Sequence, residues 1–337
     1  MKIDGRAIGS GNPPYTIAEV SCNHGGSLEL AKRMVREAKK TGADAVKTQI
    51  YTADTLTLNI KRPDFIVQND LWKGQTLWDL YNKAHTPYEW QKDLYKVAKD
   101  EGITIFSSVF DRRGVDLCQS LGSPCIKIAS MEIVDTPLIE YAASTGIPLI
   151  ISTGMASDNE ILEARDASRY RNQKAAFLHC TSEYPGTVEF ADLSRMSHID
   201  KLLGFQHPVG VSDHTTDLTI PIAATALMAT IIEKHFMLGA APPTEDHEFS
   251  LDEGEFGQMV QAVRQTWEAM KPRPHAGIAS RQVRRSLYAV ADIKKGDIFT
   301  IENIRSIRPG YGLPPKMLPS LLGKKSFQAF KKGDPLT

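Results

Sequence analysis

Val209-Gly-Val-Ser-Asp-His-Thr215 is a short apolar run that stops on polar side chains. Its length fits a buried β-strand, and polar groups just beyond such a strand lie at the edge of a sheet. Seven other runs in the first 240 residues end in the same way. The residues that end the eight runs are Glu19, Lys47, Ser108, Lys127, Ser152, Cys180 followed by Ser182, Ser212 with Asp213 and His214, and His235. Stretches with apolar residues three to four apart separate the runs, which predicts a (β/α)8 TIM barrel.

Composition excludes several classes of protein. Forty basic residues balance forty acidic ones, so no overall field draws the chain toward nucleic acid or an anionic membrane. The four cysteines form no CxxC pair, which favours free thiols and a cytoplasmic protein. Residues 1–14 lack the apolar core of a signal peptide, and the longest apolar stretch, residues 220–232, is too short to span a bilayer.

Length and composition also predict the domain organisation. A barrel of this type takes about 250 residues, so 337 residues leave room for one small module. We expect the barrel over residues 1–270 and a linker over 271–284, where two prolines and a glycine follow the last helix. Residues 285–337 then form a small β-rich domain, whose limited core suggests that it docks on a barrel, its own or a partner's.

One connection is much longer than the others. Residues 51–85 separate the second predicted strand from its helix and contain Trp72 and Trp78. Loops of this length are usually functional or disordered, and the aromatic content argues against disorder. The segment is therefore either a lid over the site or an insertion that packs on the barrel rim.

Two histidines follow the last two predicted strands. Adjacent strands would bring His214 and His235 within reach of one ion, and neutral imidazoles beside carboxylates suit a catalytic divalent metal. The alternative is a pair of hydrogen-bonded polar residues without a metal. Asp246 is near enough to His235 in sequence to reach over the site, although a loop carboxylate could equally be a solvated surface charge.

Two lysines end the second and fourth predicted strands. Lys47 and Lys127 need partners if they are buried at a barrel mouth, and the serines around the same rim could complete a cradle for phosphate or carboxylate. An anionic substrate is the expectation. The alternative is two salt bridges, to Glu19 and Glu132. Glu19 could instead accept or donate a proton near the metal.

Several motifs resemble the sialic acid synthase family, over nearly the whole chain. They are Ile17-Ala-Glu-Val-Ser-Cys-Asn-His24, Ala43-Asp-Ala-Val-Lys-Thr-Gln49, Tyr88-Glu-Trp90, Ile126-Lys-Ile-Ala-Ser130, Ser212-Asp-His-Thr215, Glu233-Lys-His-Phe236 and Phe249-Ser-Leu251. The tail resembles the antifreeze-like SAF domain of that family. The stretches 71–81, 86–90 and 308–316 are most similar to the pseudaminic acid synthase branch.

The resemblance implies that phosphoenolpyruvate and water condense with 2,4-diacetamido-2,4,6-trideoxy-L-altrose to give pseudaminic acid and phosphate. It also implies Mn²⁺ or Mg²⁺ on His214 and His235, which would be catalytic together with Glu19. The implied phosphoenolpyruvate contacts are Lys47, Ser108, Lys127, Ser130, Ser152, Ser182 and Ser212. Serine at 182 replaces the asparagine seen in some sialic acid synthases, and serine at 108 replaces a threonine. The implied sugar contacts are Gln49, Glu132, Tyr184, Asp246 and Arg308, with Arg308 contributed by the second subunit of a domain-swapped homodimer.

Other functions fit parts of the pattern. The acceptor could be the sugar of an N-acetylneuraminic or legionaminic acid synthase. A related barrel enzyme could join phosphoenolpyruvate to a phosphorylated aldose, but the sequence offers no second phosphate cradle. A non-catalytic carbohydrate-binding protein would hardly need a ring of lysine, serine and histidine at the barrel mouth.

Overall fold

The computed structural model describes residues 1–68, 71–169, 175–181, 183–272 and 278–337, with the side chains of 278 and 279 left aside. Its backbone contacts divide the chain into two compact units, Met1–Met270 and Lys271–Thr337. The segment predicted as a linker belongs to the second unit; its residues 273–277 lie outside the described part, and a short helix occupies Ile278–Val283. The linker assignment stays a prediction.

The first unit is built on a closed barrel of eight parallel strands, which confirms the predicted fold. A two-stranded antiparallel hairpin, β1 (Lys2–Ile3) and β2 (Arg6–Ala7), precedes it. The barrel strands are β3 (Tyr15–Glu19), β4 (Ala45–Ile50), β5 (Thr104–Val109), β6 (Ile126–Ile128), β7 (Leu149–Ser152), β8 (Ala176–Cys180), β9 (Val209–Asp213) and β10 (Ile231–His235). Each strand pairs with the next along the chain, and β10 pairs with β3 to close the ring.

Helices connect the strands on the outside of the barrel. They are α1 (Leu28–Lys40), α2 (Ala53–Leu56), α3 (Leu77–Ala84), α4 (Trp90–Glu101), α5 (Arg112–Ser120), α6 (Thr136–Ser144), α7 (Asp158–Ala167), α8 (Ser194–Leu202), α9 (Thr219–Ala226) and α10 (Glu253–Met270). Single 3₁₀ turns occur at Pro63–Phe65, Ser130–Glu132, Val188–Phe190 and His247–Phe249. None of the described helices is both long and apolar enough to cross a membrane.

Local sequence explains where α1 lies. The Ser27 hydroxyl accepts a hydrogen bond from the amide of Leu30, which satisfies one of the donors that a helix start leaves free. Ala31, Met34, Val35 and Ala38 then bury one face at helical spacing. The other barrel helices bury one face in the same way, against the outside of the strands.

Apolar side chains fill the lower part of the barrel. Tyr15, Phe106 and Ile231 belong to this inner cluster, and Ile3 and Ile8 of the N-terminal hairpin region close it from below. The apolar filling stops short of the carboxyl ends of the strands, where the inward-facing residues are polar. The mouth is therefore where the polar strand ends converge.

A glycine sets the spacing of the last two strands. Gly210 lies beside Ile231, and a Cβ at position 210 would stand only 2.3 Å from the carbonyl oxygen of Ile231. Any side chain there would separate β9 from β10. The glycine thus keeps the strands that lead to His214 and His235 side by side.

The long connection after β4 packs on the barrel rim. The Trp72 indole donates to the carbonyl oxygen of Glu245 over 3.3 Å, and Lys83 forms an ion pair with the Glu245 carboxylate. Both contacts reach the loop that follows β10. Rim packing is therefore observed, while a lid motion of this segment stays a prediction.

The second unit contains α11 (Ile278–Val283), the antiparallel pair β11 (Ser286–Ala289) and β12 (Ile304–Ile307), a 3₁₀ turn at Pro315–Met317 and α12 (Leu318–Leu321). Its core includes Leu287, Phe299, Ile304 and Phe330. The pairing and isolated bridges agree with a small β-rich domain.

Candidate active site

Strand register brings the predicted charged residues together. Glu19 on β3 pairs directly with Lys47 on β4 and with His235 on β10. Ser108 on β5 pairs in the same way with Lys127 on β6. Because these five side chains lie at one end of the barrel, they enclose one site rather than several.

The lysines and carboxylates form a buried charge network. Lys47 Nζ lies 2.6 Å from Oε2 of Glu19 and 3.6 Å from Oε1 of Glu233. Lys127 Nζ lies 3.3 Å from the same Glu233 oxygen, which also accepts a hydrogen bond of 3.0 Å from the Ser212 hydroxyl. These side chains are at most 5% exposed. Two positive and two negative charges therefore share one water-poor space.

Glu233 is a site residue that the sequence argument did not assign. The expected ion pair between Lys47 and Glu19 is present, but the alternative pairing of Lys127 with Glu132 is wrong, because Lys127 pairs with Glu233. A strand alternates its two faces with a period of two, so Glu233 lies on the same face of β10 as His235. The two-residue spacing from His235 could therefore have predicted Glu233 as a site residue from the sequence.

Burial and neighbouring charges perturb the ionisation of this network. Burial raises the pKa of Glu19 despite the Lys47 ammonium beside it. Burial lowers the pKa of Lys127. Glu233 has its pKa lowered, because Lys127 and Lys47 together outweigh the effect of burial. Of the two carboxyl groups, Glu233 therefore stays ionised more readily, and Glu19 takes up a proton more readily.

The serines predicted for an anion cradle lie around the same mouth. Ser108 accepts a hydrogen bond of 3.1 Å from Lys47, and the Ser130 hydroxyl accepts one of 3.2 Å from the amide of Gly154. The buried Ser152 hydroxyl has no hydrogen-bond partner among the described residues. Ser182 lies outside the described part of the chain. An unpartnered hydroxyl at the same barrel mouth as two buried lysines is available to an anionic ligand.

The two histidines face each other. The ring centroids of His214 and His235 are 5.4 Å apart. Nδ1 of His214 is 2.9 Å from the carbonyl oxygen of Thr181, which leaves Nε2 for a ligand. Burial lowers the pKa of His235 well below its usual value, which keeps its imidazole neutral. Neutral imidazole is the form that binds a metal.

This pair fits a shared metal ion. A nitrogen–metal bond of about 2.1 Å puts a ring centroid about 3.2 Å from the ion, so two rings that ligate one ion at about 110° stand about 5.2 Å apart. Nδ1 of His235 has no hydrogen-bond partner among the described residues, although Oδ2 of Asp246 lies 3.5 Å away. Among the described residues, no group of three or more His, Cys, Asp and Glu side chains is placed so that it could hold a metal ion. Two protein ligands would leave several coordination positions open.

A cavity of about 220 Å³ adjoins His235. Its polar lining includes four of the five predicted sugar contacts, namely Gln49, Glu132, Tyr184 and Asp246. Its apolar lining includes Tyr51, Leu56, Leu80, Tyr81, Ala84 and Phe110. The long connection after β4 supplies most of that apolar wall, so it shapes the cavity as well as packing on the rim.

The polar lining is held in defined positions. Gln49 donates to Oε1 of Glu19 over 2.8 Å and to the Ser21 hydroxyl over 2.9 Å. The ring of Tyr184 lies 4.2 Å from that of His214. Asp246 is only 9% exposed, so the alternative that it is a solvated surface charge is wrong.

Glu132 carries a carboxyl group suited to bind a neutral ligand. Its Oε2 is buried and has no hydrogen-bond partner among the described residues. Burial raises the pKa of Glu132 to about 7. At neutral pH the group can therefore donate a hydrogen bond as an acid or accept one as a carboxylate.

Arg308 is the one predicted sugar contact that lies outside the barrel unit. It lies just after β12 in the second unit, with an exposed side chain. The assignment of Arg308 to the sugar stays a prediction.

The comparisons with known proteins agree with this geometry. Residues 34–273 match the model of the NeuB family, and residues 284–337 match that of the SAF domain. The chain is 42% identical over 327 residues to a pseudaminic acid synthase of Campylobacter jejuni, covering 96% of this chain and 95% of the relative. It is 41% identical over 331 residues to the Helicobacter pylori pseudaminic acid synthase, covering 96% and 97%.

A solved structure extends the similarity to the fold. The N-acetylneuraminic acid synthetase of Leptospira borgpetersenii, determined with citrate, superposes with a TM-score of 0.72 at 29% identity, over 84% of this chain and 93% of that one. The family match covers well over half of the chain and falls on the barrel that carries the site. This chain belongs to the NeuB family, and it ends in a SAF domain.

Proposed function

We propose that this protein condenses phosphoenolpyruvate with 2,4-diacetamido-2,4,6-trideoxy-L-altrose and water, and releases pseudaminic acid and phosphate. The observation that carries the proposal is the pair of buried lysines, Lys47 and Lys127, ringed by serines beside two facing histidines. Similarity of 41–42% to two pseudaminic acid synthases supports this acceptor.

Phosphoenolpyruvate belongs in the lysine and serine ring. Its phosphate and carboxylate are anionic, and ammonium groups with hydroxyl donors bind both. Lys47, Lys127 and the free hydroxyl of Ser152 are the strongest candidates for these contacts. Charge held by the lysines would also reduce repulsion as the two substrates approach.

The reaction forms one carbon–carbon bond, and at the second carbon of phosphoenolpyruvate a carbon–oxygen bond to water replaces the carbon–oxygen bond to phosphate. The enol carbon of phosphoenolpyruvate attacks the aldehyde carbon, and the aldehyde oxygen takes a proton. Water adds to the cationic second carbon of the former phosphoenolpyruvate, and phosphate then leaves with its bridging oxygen. The water oxygen becomes the keto oxygen and gives up two protons, one that balances the proton on the former aldehyde oxygen and one that departs with phosphate. We assign to Glu19 a proton of that water, because its raised pKa suits a group that must accept a proton and pass it on.

We also propose that His214 and His235 bind Mn²⁺ or Mg²⁺. A bound divalent ion acts as a Lewis acid toward the aldehyde oxygen. The facing rings and the free nitrogen of His235 support this assignment. Excess chelator should silence the enzyme and Mn²⁺ should restore it, whereas activity that persists in chelator would exclude a required metal. Isothermal titration calorimetry with the metal alone gives a second readout, the heat of metal binding. The His235→Ala variant should lose this heat.

The cavity lining supports an acceptor with methyl groups. Leu56, Leu80 and Ala84 offer no hydrogen-bonding group, so a 6-deoxy sugar with acetamido methyls loses less on burial there than a sugar with more hydroxyls. An apolar wall of this kind discriminates against an extra hydroxyl by about 100-fold at most. Mass spectrometry of the products from a panel of amino-sugar aldehydes tests the acceptor. Preference for N-acetylmannosamine or the legionaminic acid precursor would support the alternatives.

We further propose a cytoplasmic, domain-swapped homodimer in which Arg308 serves the barrel of the other subunit. All four cysteines are free, which supports a reducing compartment. Exposed apolar side chains around the barrel mouth support a docked partner; they are Met131, Val134, Met155, Val188 and Phe190.

Mixed dimers test the swap directly. Glu19→Gln disables a barrel, and Arg308→Ala weakens acceptor binding by a SAF domain, so at an acceptor concentration well below the wild-type KM each variant alone should keep at most about a tenth of the wild-type activity. In a swapped dimer of one variant with the other, one of the two sites is intact, and random mixing should recover about a quarter of the wild-type activity. No recovery from dimers proven to be mixed would place Arg308 in the barrel of its own chain.

A further inference from the structure

Asn23 holds together two loops that border the site. It lies in the segment between β3 and α1, and its side chain is buried. Nδ2 of Asn23 donates to the carbonyl oxygen of Phe236 over 3.0 Å and to the Ser250 hydroxyl over 2.7 Å. Its Oδ1 accepts a hydrogen bond from the Thr244 hydroxyl. One side-chain amide therefore forms hydrogen bonds with the beginning, the middle and the end of the loop after β10, at Phe236, Thr244 and Ser250.

The Asn23 end of this contact is anchored. The backbone amide of Asn23 donates to the carbonyl oxygen of Val20 over 3.0 Å. His24, the next residue, is buried and places Nε2 2.9 Å from the Thr86 hydroxyl. The segment from β3 to α1 is thus the fixed side, and the loop of residues 237–250 is the side that Asn23 restrains.

The restrained loop carries Asp246. The Ser250 hydroxyl accepts a hydrogen bond from the side-chain amide of Asn23 and donates one to the backbone carbonyl oxygen of Asp246 over 2.6 Å. Oδ2 of Asp246 stands 3.5 Å from Nδ1 of His235. A chain of hydrogen bonds therefore runs from Asn23 through Ser250 to the backbone of a residue that faces the site.

We infer that Asn23 is a positioning residue that fixes the loop of Asp246 over the cavity and thereby sets the affinity for the acceptor sugar. The assignment of the acceptor rests on the proposed function. Asn23 itself is absent from the cavity lining, so its effect on substrate acts through the loop. Phosphoenolpyruvate, which is assigned to the lysine ring, should be little affected.

Two substitutions separate the parts of the contact. Asn23→Ala removes all three hydrogen bonds. Asn23→Asp keeps the shape and the acceptor for Thr244, but as a carboxylate it cannot donate to Phe236 or Ser250. The matched control is Ser27→Ala, which removes the cap of α1 a few residues away and leaves the loop of residues 237–250 untouched.

Hydrogen–deuterium exchange tests the structural half of the inference without any substrate. Asn23→Ala should speed exchange across residues 237–250 and leave α1 protected, while Ser27→Ala should speed exchange in the first turn of α1 only. Unchanged exchange in residues 237–250 of Asn23→Ala overturns the inference, whatever the enzyme does.

Steady-state kinetics test the functional half. Both Asn23 variants should raise the KM for the acceptor at least about tenfold, because small displacements of a substrate-positioning group have effects of this size. The KM for phosphoenolpyruvate should stay within about twofold of wild type, as should both constants in the control. Equal increases in the two constants, or none, overturn the positioning role. A wild-type enzyme that released no phosphate with any amino sugar would instead refute the proposed function, and the exchange result would still stand.

Discussion

Replacing Glu233 with glutamine tests the buried charge network most severely. The change keeps the shape of the side chain and removes the charge that Lys127 pairs with at 3.3 Å. Lys47 retains Glu19 at 2.6 Å, so one ammonium is left without a carboxylate in ion-pair distance among the described residues. Breaking one side of a buried ion pair costs about 3–5 kcal/mol, and we expect a loss of this size in the free energy of unfolding.

Denaturant unfolding followed by tryptophan fluorescence measures the loss. All four tryptophans lie within residues 1–270, so the signal reports the barrel. Glu189→Gln is the control, since Glu189 is exposed, and it should change stability by less than about 0.5 kcal/mol. Adding Lys127→Met to Glu233→Gln removes the orphaned charge and should recover more than about half of the loss. A Glu233→Gln protein as stable as the control would refute the network.

Three further substitutions test single roles. Glu19→Gln should abolish turnover while calorimetry still detects phosphoenolpyruvate binding; equal activity would remove Glu19 from proton transfer. Arg308→Ala should raise the KM for the acceptor at least about tenfold and leave that for phosphoenolpyruvate nearly unchanged; a loss confined to phosphoenolpyruvate would contradict its sugar role. The pKa of Glu132 is raised from 4.5 to about 7, so this group costs stability increasingly as pH rises from 4.5 to 7. Glu132→Gln should therefore gain up to about 3 kcal/mol relative to wild type between pH 4 and pH 8, and a pH-independent difference would argue against the raised pKa.

The barrel could be predicted because a polar or charged residue marks the end of each apolar run in the sequence. Eight buried runs that end on residues such as Lys47 and His235, with helices between them, are typical of this barrel. Because its strands are parallel, their carboxyl ends all lie at one mouth. The residues that share the mouth followed from the same argument. Helix α1 could be bounded correctly because its N-cap serine and its apolar spacing agree.

Partner choice inside the site could not be predicted in the same way. Lys127 pairs with Glu233 rather than Glu132 because strand faces and side-chain reach decide the contact, and both depend on the closed barrel. The Asn23 contacts join residues more than 200 positions apart, so no local pattern reveals them. The apolar cavity wall likewise depends on how the long connection after β4 packs against the loop after β10.

Phosphate release from phosphoenolpyruvate tests the central claim most directly. With Mn²⁺ and 2,4-diacetamido-2,4,6-trideoxy-L-altrose, the protein should release one phosphate for each nine-carbon 2-keto acid detected by mass spectrometry, and neither product should form when the sugar is omitted. Absence of phosphate and of the keto acid with every amino-sugar aldehyde, from folded protein supplied with Mn²⁺ or Mg²⁺, would contradict the account.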